Sequence, residues 1–300
     1  MNFFKLKIFV TVCKTKNFTK AAEQLFITQS AVSKSIKDLE STWELKLIHR
    51  QGNQITITPI GESLLGNILN LINDYSLLEN AINTLKTHTY KKIRLGSGSS
   101  ITKSALESIT RYLSEKFPET ELEIHAGNSS STESLLKNGE IDYGIVASET
   151  LAPELVYVPI ATDIIWPVCH LDHVFAGKTI SAKELLTQNL FAREKGSATQ
   201  ETVNKYFQDN GLLFPVTNSF NYNESLLSYF IIEKGQIGFI SETEIAQKLL
   251  WKNIGKITLK EGGIHRQIYL AYRKANYDPM FLKDIGMAIK SMKKSWGRQK

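Results

Sequence analysis

The chain has 300 residues, a length that predicts two or three folding units. Of these residues, 42% are hydrophobic and 22% are charged, which is the composition of a folded globular protein. It contains no run of roughly eighteen apolar residues, so no membrane span is predicted. Lysines interrupt the apolar N-terminal segment and no small-residue cleavage site follows it, which argues against a signal peptide. The only cysteines, Cys13 and Cys169, are far apart and outside any CxxC pair. They suit a reducing cytoplasm, and neither predicts a metal or redox site.

Positive charge is concentrated in the first fifth of the chain. Residues 1–60 hold nine Lys or Arg and four Asp or Glu, an excess of five where the whole chain has a net charge of +6. A local excess of this kind is typical of a nucleic-acid-binding surface. The basic C-terminal tail, residues 292–300, is interpreted as a solvated end.

Residues 17–50 have the pattern of two short helices joined by a tight turn. We expect Thr19 to cap the first helix and Thr28 to cap the second. One face of the second helix is apolar and predicted to be buried, and comprises Val32, Ile36 and Leu39. The opposite face is polar, has no carboxylate before Asp38, and consists of Gln29, Ser30, Ser33, Lys34 and Lys37. These side chains suit base edges and phosphates in a DNA major groove.

Two further elements complete the predicted DNA-binding domain, residues 1–60. Residues 3–14 read as a helix that packs on the pair through Phe4, Ile8 and Val12, with Leu6, Phe9 and Cys13 at its flanks. Residues 45–58 read as a hairpin, or wing, around Gly52 and Asn53. The predicted base-edge contacts are Gln29, Ser30 and Ser33, and the predicted phosphate contacts are Thr28, Lys34, Lys37 and Arg50.

Residues 61–88 predict one long linker helix with an unbroken apolar stripe. The stripe follows steps of four and three and consists of Leu64, Ile68, Leu71, Tyr75, Leu78, Ile82 and Leu85. No other segment offers a matching stripe, so we expect a second copy of the chain as partner. The alternative is that the helix lies on the domain that follows it in the same chain, called the effector domain below. A dimer would read two half-sites, and the predicted DNA target is therefore an imperfect palindrome.

From residue 90 onward, short apolar strands alternate with amphipathic helices, which predicts an α/β domain with parallel sheets and ligand sites at strand C-terminal ends. We expect two lobes, with crossings near residues 147–160 and 262–267. Lobe I would comprise about 90–161 and 267–300, and lobe II about 162–266. The predicted strands are residues 93–96, 121–126, 141–146, 164–169, 189–194, 216–220, 237–241 and 266–274, and the predicted helices are residues 104–116, 132–138, 199–208, 224–233, 242–250 and one from about 278.

Three polar loops follow predicted strands of this domain and carry its candidate ligand chemistry. Hydroxyls, glycines and helix N-termini suit a small anionic metabolite, although helix caps and tight turns alone would use the same residues. The predicted effector-binding residues are Ser97, Ser99, Ser100, Asn128, Ser129, Gly196, Ser197 and Thr199.

The sequence contains few features that would indicate an enzyme. It lacks HExxH, HxxxH and GxSxG patterns, and no acidic or thiol set completes a metal site around His170 and His173. We therefore predict no catalytic residue, metal or cofactor. Because two-lobed α/β folds also host enzymes, the basic N-terminal domain is what favours a DNA-binding regulator. A DNA-binding architectural protein without an inducer is the other alternative.

About twenty residues of the first sixty match, in order and spacing, the signature of the LysR-type transcriptional regulators. They are Leu6, Phe9, Val12, Asn17, Phe18, Thr19, Ala21, Ala22, Leu25, Thr28, Gln29, Ser30, Ala31, Val32, Ser33, Ile36, Leu39, Glu40, Leu47, Arg50, Thr58 and Gly61. Residues 93–96, 116–128, 135–146, 193–200 and 233–241 also resemble family segments.

The resemblance implies a bacterial, cytoplasmic regulator with a winged helix-turn-helix, a dimerising linker helix and a two-lobed effector domain similar to periplasmic binding proteins. It implies a homodimer or homotetramer, RNA polymerase as a further partner, and Ser100, Asn128 and Thr199 near the inducer. Trp43, Glu44 and Ile48 depart from the family pattern around the wing. Ala198 and Gln200 replace a frequent Gly and Arg, and the missing Arg argues against a doubly charged ligand.

Overall fold

The computed structural model describes residues 2–51, 54–87, 89–98, 100–147, 151–215, 219–220, 224–233, 235–247 and 253–297. They form two compact units, the first made of residues 1–88 with 138–140, and the second of residues 89–137 with 141–300. No helix in these ranges has the length and apolar character needed to cross a membrane.

The first unit is a winged helix-turn-helix that continues into a long helix. Its helices are α1 Phe3–Thr15, α2 Phe18–Leu25, α3 Gln29–Trp43 and α4 Pro59–Thr87, and its strands are β1 Ile48–Gln51 and β2 Gln54–Ile57. The two strands pair antiparallel, with Ile48 opposite Ile57 and Gln51 opposite Gln54. The predicted turn residues, Gly52 and Asn53, lie outside the described residues.

The caps of α2 and α3 correct one prediction and confirm another. The prediction that Thr19 caps α2 is wrong. Because α2 begins at Phe18, the cap is Asn17, whose Oδ1 accepts hydrogen bonds from the backbone N–H groups of Thr19 (2.9 Å) and Lys20 (3.0 Å). Thr28 caps α3 as predicted, since its Oγ1 accepts from the N–H of Ala31 at 3.2 Å.

The core of the first unit confirms the buried face of α3 and corrects that of α1. Val32, Ile36 and Leu39 are at most 3% exposed. In α1 the buried arc is centred on Phe9, and Phe4 lies about 140° away around the helix. Phe4 is consequently 45% exposed, and the prediction that it packs on the helix pair is wrong.

The apolar stripe of α4 divides into two parts. Ile68 is 6% exposed and belongs to the core of the first unit, against which Leu64 also packs. Further along, the stripe is open to solvent, with exposures of 42% to 56% at Leu71, Tyr75, Leu78 and Ile82. The side chain of Leu85 lies outside the described residues.

The second unit alternates strands and helices as expected, with several short additions. Its helices are α5 Ser100–Lys116, α6 Ser129–Lys137, α7 Ala182–Leu185, α8 Ala198–Asp209, α9 Glu224–Ile232, α10 Glu242–Gln247 and α11 Pro279–Gly297. Its strands are β3 Lys92–Ser97, β4 Glu121–Ala126, β5 Tyr143–Val146, β6 Leu155–His170, β7 Thr179–Ile180, β8 Ala192–Arg193, β9 Ser219–Phe220, β10 Gly238–Ser241, β11 Ile254–Lys256, β12 Thr258–Leu259 and β13 Ile264–Arg273.

The main sheet is mixed, which corrects the prediction of parallel sheets. Its strand order is β10-β6-β13-β5-β3-β4, with β11 also paired to β6. β3 is parallel to β4 and β5, whereas β6 and β13 are antiparallel to each other and to their other neighbours. The reason is that the chain leaves along β6 and returns along β13, so these two strands run in opposite directions.

The paired strands β6 and β13 join two hydrophobic cores, which makes the unit two-lobed. Ala161 and Ile268 belong to a core that also contains Leu95, Ile109 and Phe281. Ile165 and Ile264 belong to a second core that also contains Val203, Phe207 and Phe239. Each long strand therefore passes from one core to the other within four residues.

Candidate DNA-binding surface and effector site

The polar face of α3 faces solvent. Gln29, Ser30, Lys34 and Lys37 are exposed, and Ser33 is half-buried. The Thr28 hydroxyl, also exposed, lies 2.9 Å from the Ser30 hydroxyl while it caps the helix. Arg50 is exposed on β1, and its guanidinium lies 5.4 Å from the centre of the Phe18 ring. The seven predicted DNA contacts are thus all accessible, except that Ser33 is only partly so.

The one carboxylate in the first ten residues of α3 is neutralised within the unit. Asp38 accepts a hydrogen bond from Lys5 of α1 at 2.7 Å. This hydrogen bond is the main cause that lowers the pKa of Asp38 below its usual value, and it outweighs the opposing effect of desolvation. The carboxylate that would repel phosphates is therefore already paired.

The wing is fixed to α3 by Glu40. One carboxylate oxygen accepts from the backbone N–H groups of Leu47 (2.9 Å) and Ile48 (3.1 Å), and the other accepts from Lys46 Nζ at 2.7 Å. The Glu40 side chain is only 11% exposed. Trp43, Glu44 and Ile48 depart from the family pattern around the wing. The start of the wing is nevertheless held by the largely buried carboxylate of Glu40.

The base of the wing is joined just as closely to α4. The Thr58 hydroxyl donates to the carbonyl of Lys46 at 2.7 Å and accepts from the N–H of Gly61 at 3.0 Å. A β-carbon at Gly61 would lie 2.4 Å from the carbonyl oxygen of Leu47 and 2.8 Å from a methyl group of Ile57. Only glycine permits this close approach of the helix to the hairpin.

The first predicted effector loop follows β3. Ser97 is 3% exposed, and its hydroxyl has no hydrogen-bond partner among the described residues. The next residue, Gly98, donates its N–H to the carbonyl of Ile145 at 3.2 Å. Ser99 lies outside the described residues. Ser100 begins α5, and its side chain is likewise outside the description.

The loop after β4 touches the loop before α8. The Asn128 amide donates to the carbonyl of Lys195 at 3.3 Å, and the N–H of Ser130 donates to the carbonyl of Gly196 at 3.4 Å. Gly196 has a φ of +82°, and a β-carbon there would lie 2.9 Å from that of Ser130. Two of the three predicted loops thus meet directly. Ser129 has a structural partner, because its hydroxyl accepts from the N–H of Ala147 at 3.2 Å.

The start of α8 is buried and uncapped. Ser197 occupies the cap position, but its side chain makes no capping hydrogen bond and, within the described chain, its buried hydroxyl has no partner at all. Ala198 and Thr199 are 1% and 3% exposed. In the ranges that the structure describes, the N–H groups of the first turn, those of Ala198, Thr199 and Gln200, have no acceptor. Such groups carry the positive end of the helix dipole and favour an anion.

The residues that hold Thr199 are not among the predicted site residues. The Thr199 Oγ1 accepts from Arg266 Nη1 at 2.9 Å, and Arg266 Nε donates to Asp163 Oδ2 at 2.8 Å. The other oxygen of Asp163 accepts from the Ser241 hydroxyl at 2.9 Å. The signal was available in principle, because a charged residue within an apolar strand needs a partner if that strand is buried.

A surface pocket lies along α8 and reaches the loop before this helix at Lys195. Its volume is about 400 Å³. The lining residues are Ala192, Arg193, Lys195, Gln200, Asn204, Gln208, Leu212, Leu213, Phe214 and Pro215. None of the eight predicted effector residues lines it. We place the candidate effector site at the buried hydroxyls and the uncapped start of α8, because these polar groups lack partners.

No cluster of three or more His, Cys, Asp or Glu side chains that could hold a metal ion occurs among the described residues. Both cysteines are buried, and burial raises the pKa of the Cys13 thiol to about 12 and that of the Cys169 thiol to about 11.

Two family models match this chain. Residues 3–62 match the bacterial regulatory helix-turn-helix protein of the lysR family, and residues 88–284 match the LysR substrate binding domain. Among curated proteins, the transcriptional regulator CysL of Bacillus subtilis is 28% identical, over 94% of this chain and 100% of its own length. CitR of the same organism is 26% identical, over 86% of this chain and 88% of its own length.

Solved structures share the fold at low sequence identity. A full-length OxyR variant of Pseudomonas aeruginosa has a TM-score of 0.75 at 16% identity and covers 97% of this chain and 95% of its own. Full-length CbnR in complex with its target DNA has a TM-score of 0.68 at 18% identity and covers 97% and 99%.

Proposed function

The chain belongs to the LysR-type family of DNA-binding transcriptional regulators, and from that premise we propose that it is a cytoplasmic homo-oligomer whose DNA binding is controlled by a small anion bound between its effector lobes. The proposed domains are residues 1–60 for DNA binding, 61–88 for the linker helix and 89–300 for the effector domain.

The DNA part of the proposal rests on the exposed face of α3. It presents amide, hydroxyl and ammonium groups, and its one nearby carboxylate, Asp38, is paired with Lys5. Gln29, Ser30 and Ser33 would read base edges in an imperfect palindrome, and Thr28, Lys34, Lys37 and Arg50 would contact phosphates.

A pair of substitutions tests this division of roles. Gln29→Ala removes a base contact and should relax sequence preference. Lys37→Ala should weaken binding to every duplex and lower the salt slope by about one unit. Lys183→Ala, an exposed lysine on α7, is the matched control and should change neither. Equal loss of specificity from Gln29→Ala and Lys37→Ala would show that the assigned face is wrong.

The effector part of the proposal rests on the buried polar groups that lack partners at Ser97, at Ser197 and at the start of α8. Hydroxyl and N–H donors without acceptors favour a ligand rich in acceptors, such as a carboxylate or a tetrahedral oxyanion. The buried cations near this site are already compensated. Arg266 contacts Asp163 at 2.8 Å, and Arg193 contacts Glu194 at 3.0 Å. Because these buried cations are already paired with carboxylates, the site favours a ligand of low negative charge.

Thermal melting of the full-length protein against a panel of small carboxylates and inorganic oxyanions tests the effector site. A ligand at a hundred times its dissociation constant adds about 2.7 kcal/mol to the folded state. Thr199→Val and Ser197→Ala should abolish the shift, whereas Thr187→Val, an exposed threonine in the same lobe, should preserve it. A shift that survives both site substitutions would move the ligand elsewhere. Ligand control further requires different affinities for two arrangements of the lobes.

The oligomeric part of the proposal rests on the exposed apolar stripe of α4. The four side chains of this stripe that remain exposed in the described structure are Leu71, Tyr75, Leu78 and Ile82. We expect a second copy to cover them through the same stripe. Leu78→Asp should lower the dimer association constant in sedimentation experiments. An unchanged association constant would place the interface elsewhere.

A further inference from the structure

A buried ion pair joins the two long strands of the effector domain. Asp163 on β6 lies directly opposite Arg266 on β13, and both side chains are 0% exposed. Arg266 Nε donates to Asp163 Oδ2 at 2.8 Å. A buried ion pair is costly to desolvate and is a weak source of stability. Its place in the fold therefore calls for another explanation.

The pair lies where the chain changes lobes. Two residues before Asp163, Ala161 belongs to the first core, and two residues after it, Ile165 belongs to the second. On the opposite strand, Ile268 and Ile264 flank Arg266 in the same way. Within the stretch of paired strands bounded by these four core residues, Asp163 and Arg266 form the only cross-strand pair of charged residues. This ion pair therefore lies at the boundary between the lobes.

The same arginine reaches the candidate effector site. Its Nη1 donates to Thr199 Oγ1 at 2.9 Å. Since a guanidinium only donates, the Thr199 oxygen is the acceptor, and its own O–H must be directed to a different atom. No acceptor for that O–H is present within the described ranges. The Arg266 Nη2 is buried and, in the same ranges, makes no hydrogen bond, although it lies 2.8 Å from Asp163 Oδ2.

We propose that Arg266 is a positioning residue of the effector site, which orients Thr199 as a donor to the ligand and links α8 to the two strands that join the lobes. Asp163 holds Arg266 in place and cancels its charge. The inference rests on the proposed effector function. It adds a defined route from the ligand to the boundary between the lobes: ligand, Thr199, Arg266, Asp163.

The charges give this proposal a signature that a purely structural role lacks. Arg266→Gln leaves the Asp163 carboxylate uncompensated beside the site and should weaken anion binding by about tenfold. Asp163→Asn leaves the Arg266 cation uncompensated and should strengthen anion binding by a similar factor. Both changes should lower the melting temperature without anion, because each leaves one buried charge unpaired.

The experiment measures melting temperature against concentration of sulfate, phosphate and acetate, each at constant ionic strength set with chloride, on the full-length protein. The control is a second Arg–Asp pair in the same unit, Arg94 with Asp142 at 2.7 Å. Arg94→Gln and Asp142→Asn should lower the melting temperature but leave the anion midpoint unchanged.

Opposite shifts of the anion midpoint in the Arg266 and Asp163 variants would support the proposal. Shifts of the same sign, or none, would overturn it and leave the pair a structural one. Where these variants do not fold, Thr199→Val should lose the anion response and Thr199→Ser should restore it. An anion response unchanged in Thr199→Val would also overturn the proposal. If the wild-type protein responds to no probe, the anionic effector site itself is refuted.

Discussion

Replacing Glu40 by alanine tests how the wing is held against α3. The substitution removes the acceptor of two backbone N–H groups, those of Leu47 and Ile48, which are 0% and 3% exposed. An unsatisfied buried donor costs about 1–3 kcal/mol, so the two together predict a loss of about 2–6 kcal/mol. The contact with Lys46 adds little, because that lysine side chain is 62% exposed.

The assay is urea unfolding of the full-length protein, combined with hydrogen exchange at the two amides. Glu40→Ala should lower the free energy of unfolding of the first unit and speed exchange at residues 47 and 48. Glu40→Gln keeps one acceptor oxygen and should lose about half as much. Glu23→Ala, an exposed glutamate on α2, is the control and should change stability by less than about 0.5 kcal/mol. A Glu40→Ala effect as small as that of Glu23→Ala would refute the argument.

The same carboxylate predicts a pH dependence. Burial raises the pKa of Glu40, but the hydrogen bonds from Lys46, Leu47 and Ile48 lower it by more, so the net pKa lies below its ordinary value of 4.5. A lowered folded-state pKa means that the stabilisation is present above about pH 4.5 and is lost as the pH falls through the lowered pKa. Glu40→Gln should remove this part of the acid dependence.

Three other predictions concern the interior. Gly61→Ala should destabilise the protein by about 1–3 kcal/mol in urea unfolding and should weaken DNA binding. Gly66 lies in the same helix with open space around it, so Gly66→Ala should instead stabilise the protein by about 0.5–1 kcal/mol. Equal effects of the two substitutions would show that Gly61 is not needed for the close approach of the helix to the hairpin. Asn73→Leu should raise the melting temperature, because Asn73 is 1% exposed and its amide atoms have no partner among the described residues; a lower melting temperature would reveal an unseen partner. Cys13 and Cys169 should not react with a thiol reagent at pH 8 until urea unfolds the chain, since their pKa values are about 12 and 11; fast reaction in the native state would contradict their burial.

Local patterns predicted the buried and exposed faces of α3 well, because such patterns depend on neighbours along the chain. The periodicity of Val32, Ile36 and Leu39 fixes which face of α3 is buried, and the opposite face is then exposed. The cap of α2 was misplaced by two residues because Thr19 and Asn17 are both good caps, and only the observed helix start at Phe18 distinguishes them. Whether the predicted DNA contacts bind DNA stays a prediction.

The candidate effector site was only partly predictable, because its key contacts join distant segments. The loops with Asn128 and Gly196 were named correctly as neighbours of strand ends, and they do touch each other. The Asp163–Arg266 pair, by contrast, spans 103 residues and depends on the register of β6 against β13. No local pattern sets that register, so the pair that holds Thr199 was not foreseen.

The same limit applies to the short strands. Residues 189–194 were predicted as a strand, but only Ala192 and Arg193 pair, with Ser219 and Phe220, and Leu190 forms a single bridge to Ile237. The apolar side chains of this segment are nevertheless buried. Burial, rather than an extended ladder, accounts for its hydrophobic character.

The junction at Thr58 and Gly61 turns α4 into a lever for the wing. The helix has 29 residues and is therefore about 43 Å long. Because hydrogen bonds and a glycine contact fix the hairpin to its first turn, the two must pivot together. A rotation of about 5° at this base would move the far end of the helix by about 4 Å, and a small displacement imposed at the far end would tilt the wing by the same angle. In the oligomer that we propose, the spacing between two wings would therefore follow the positions of the far helix ends.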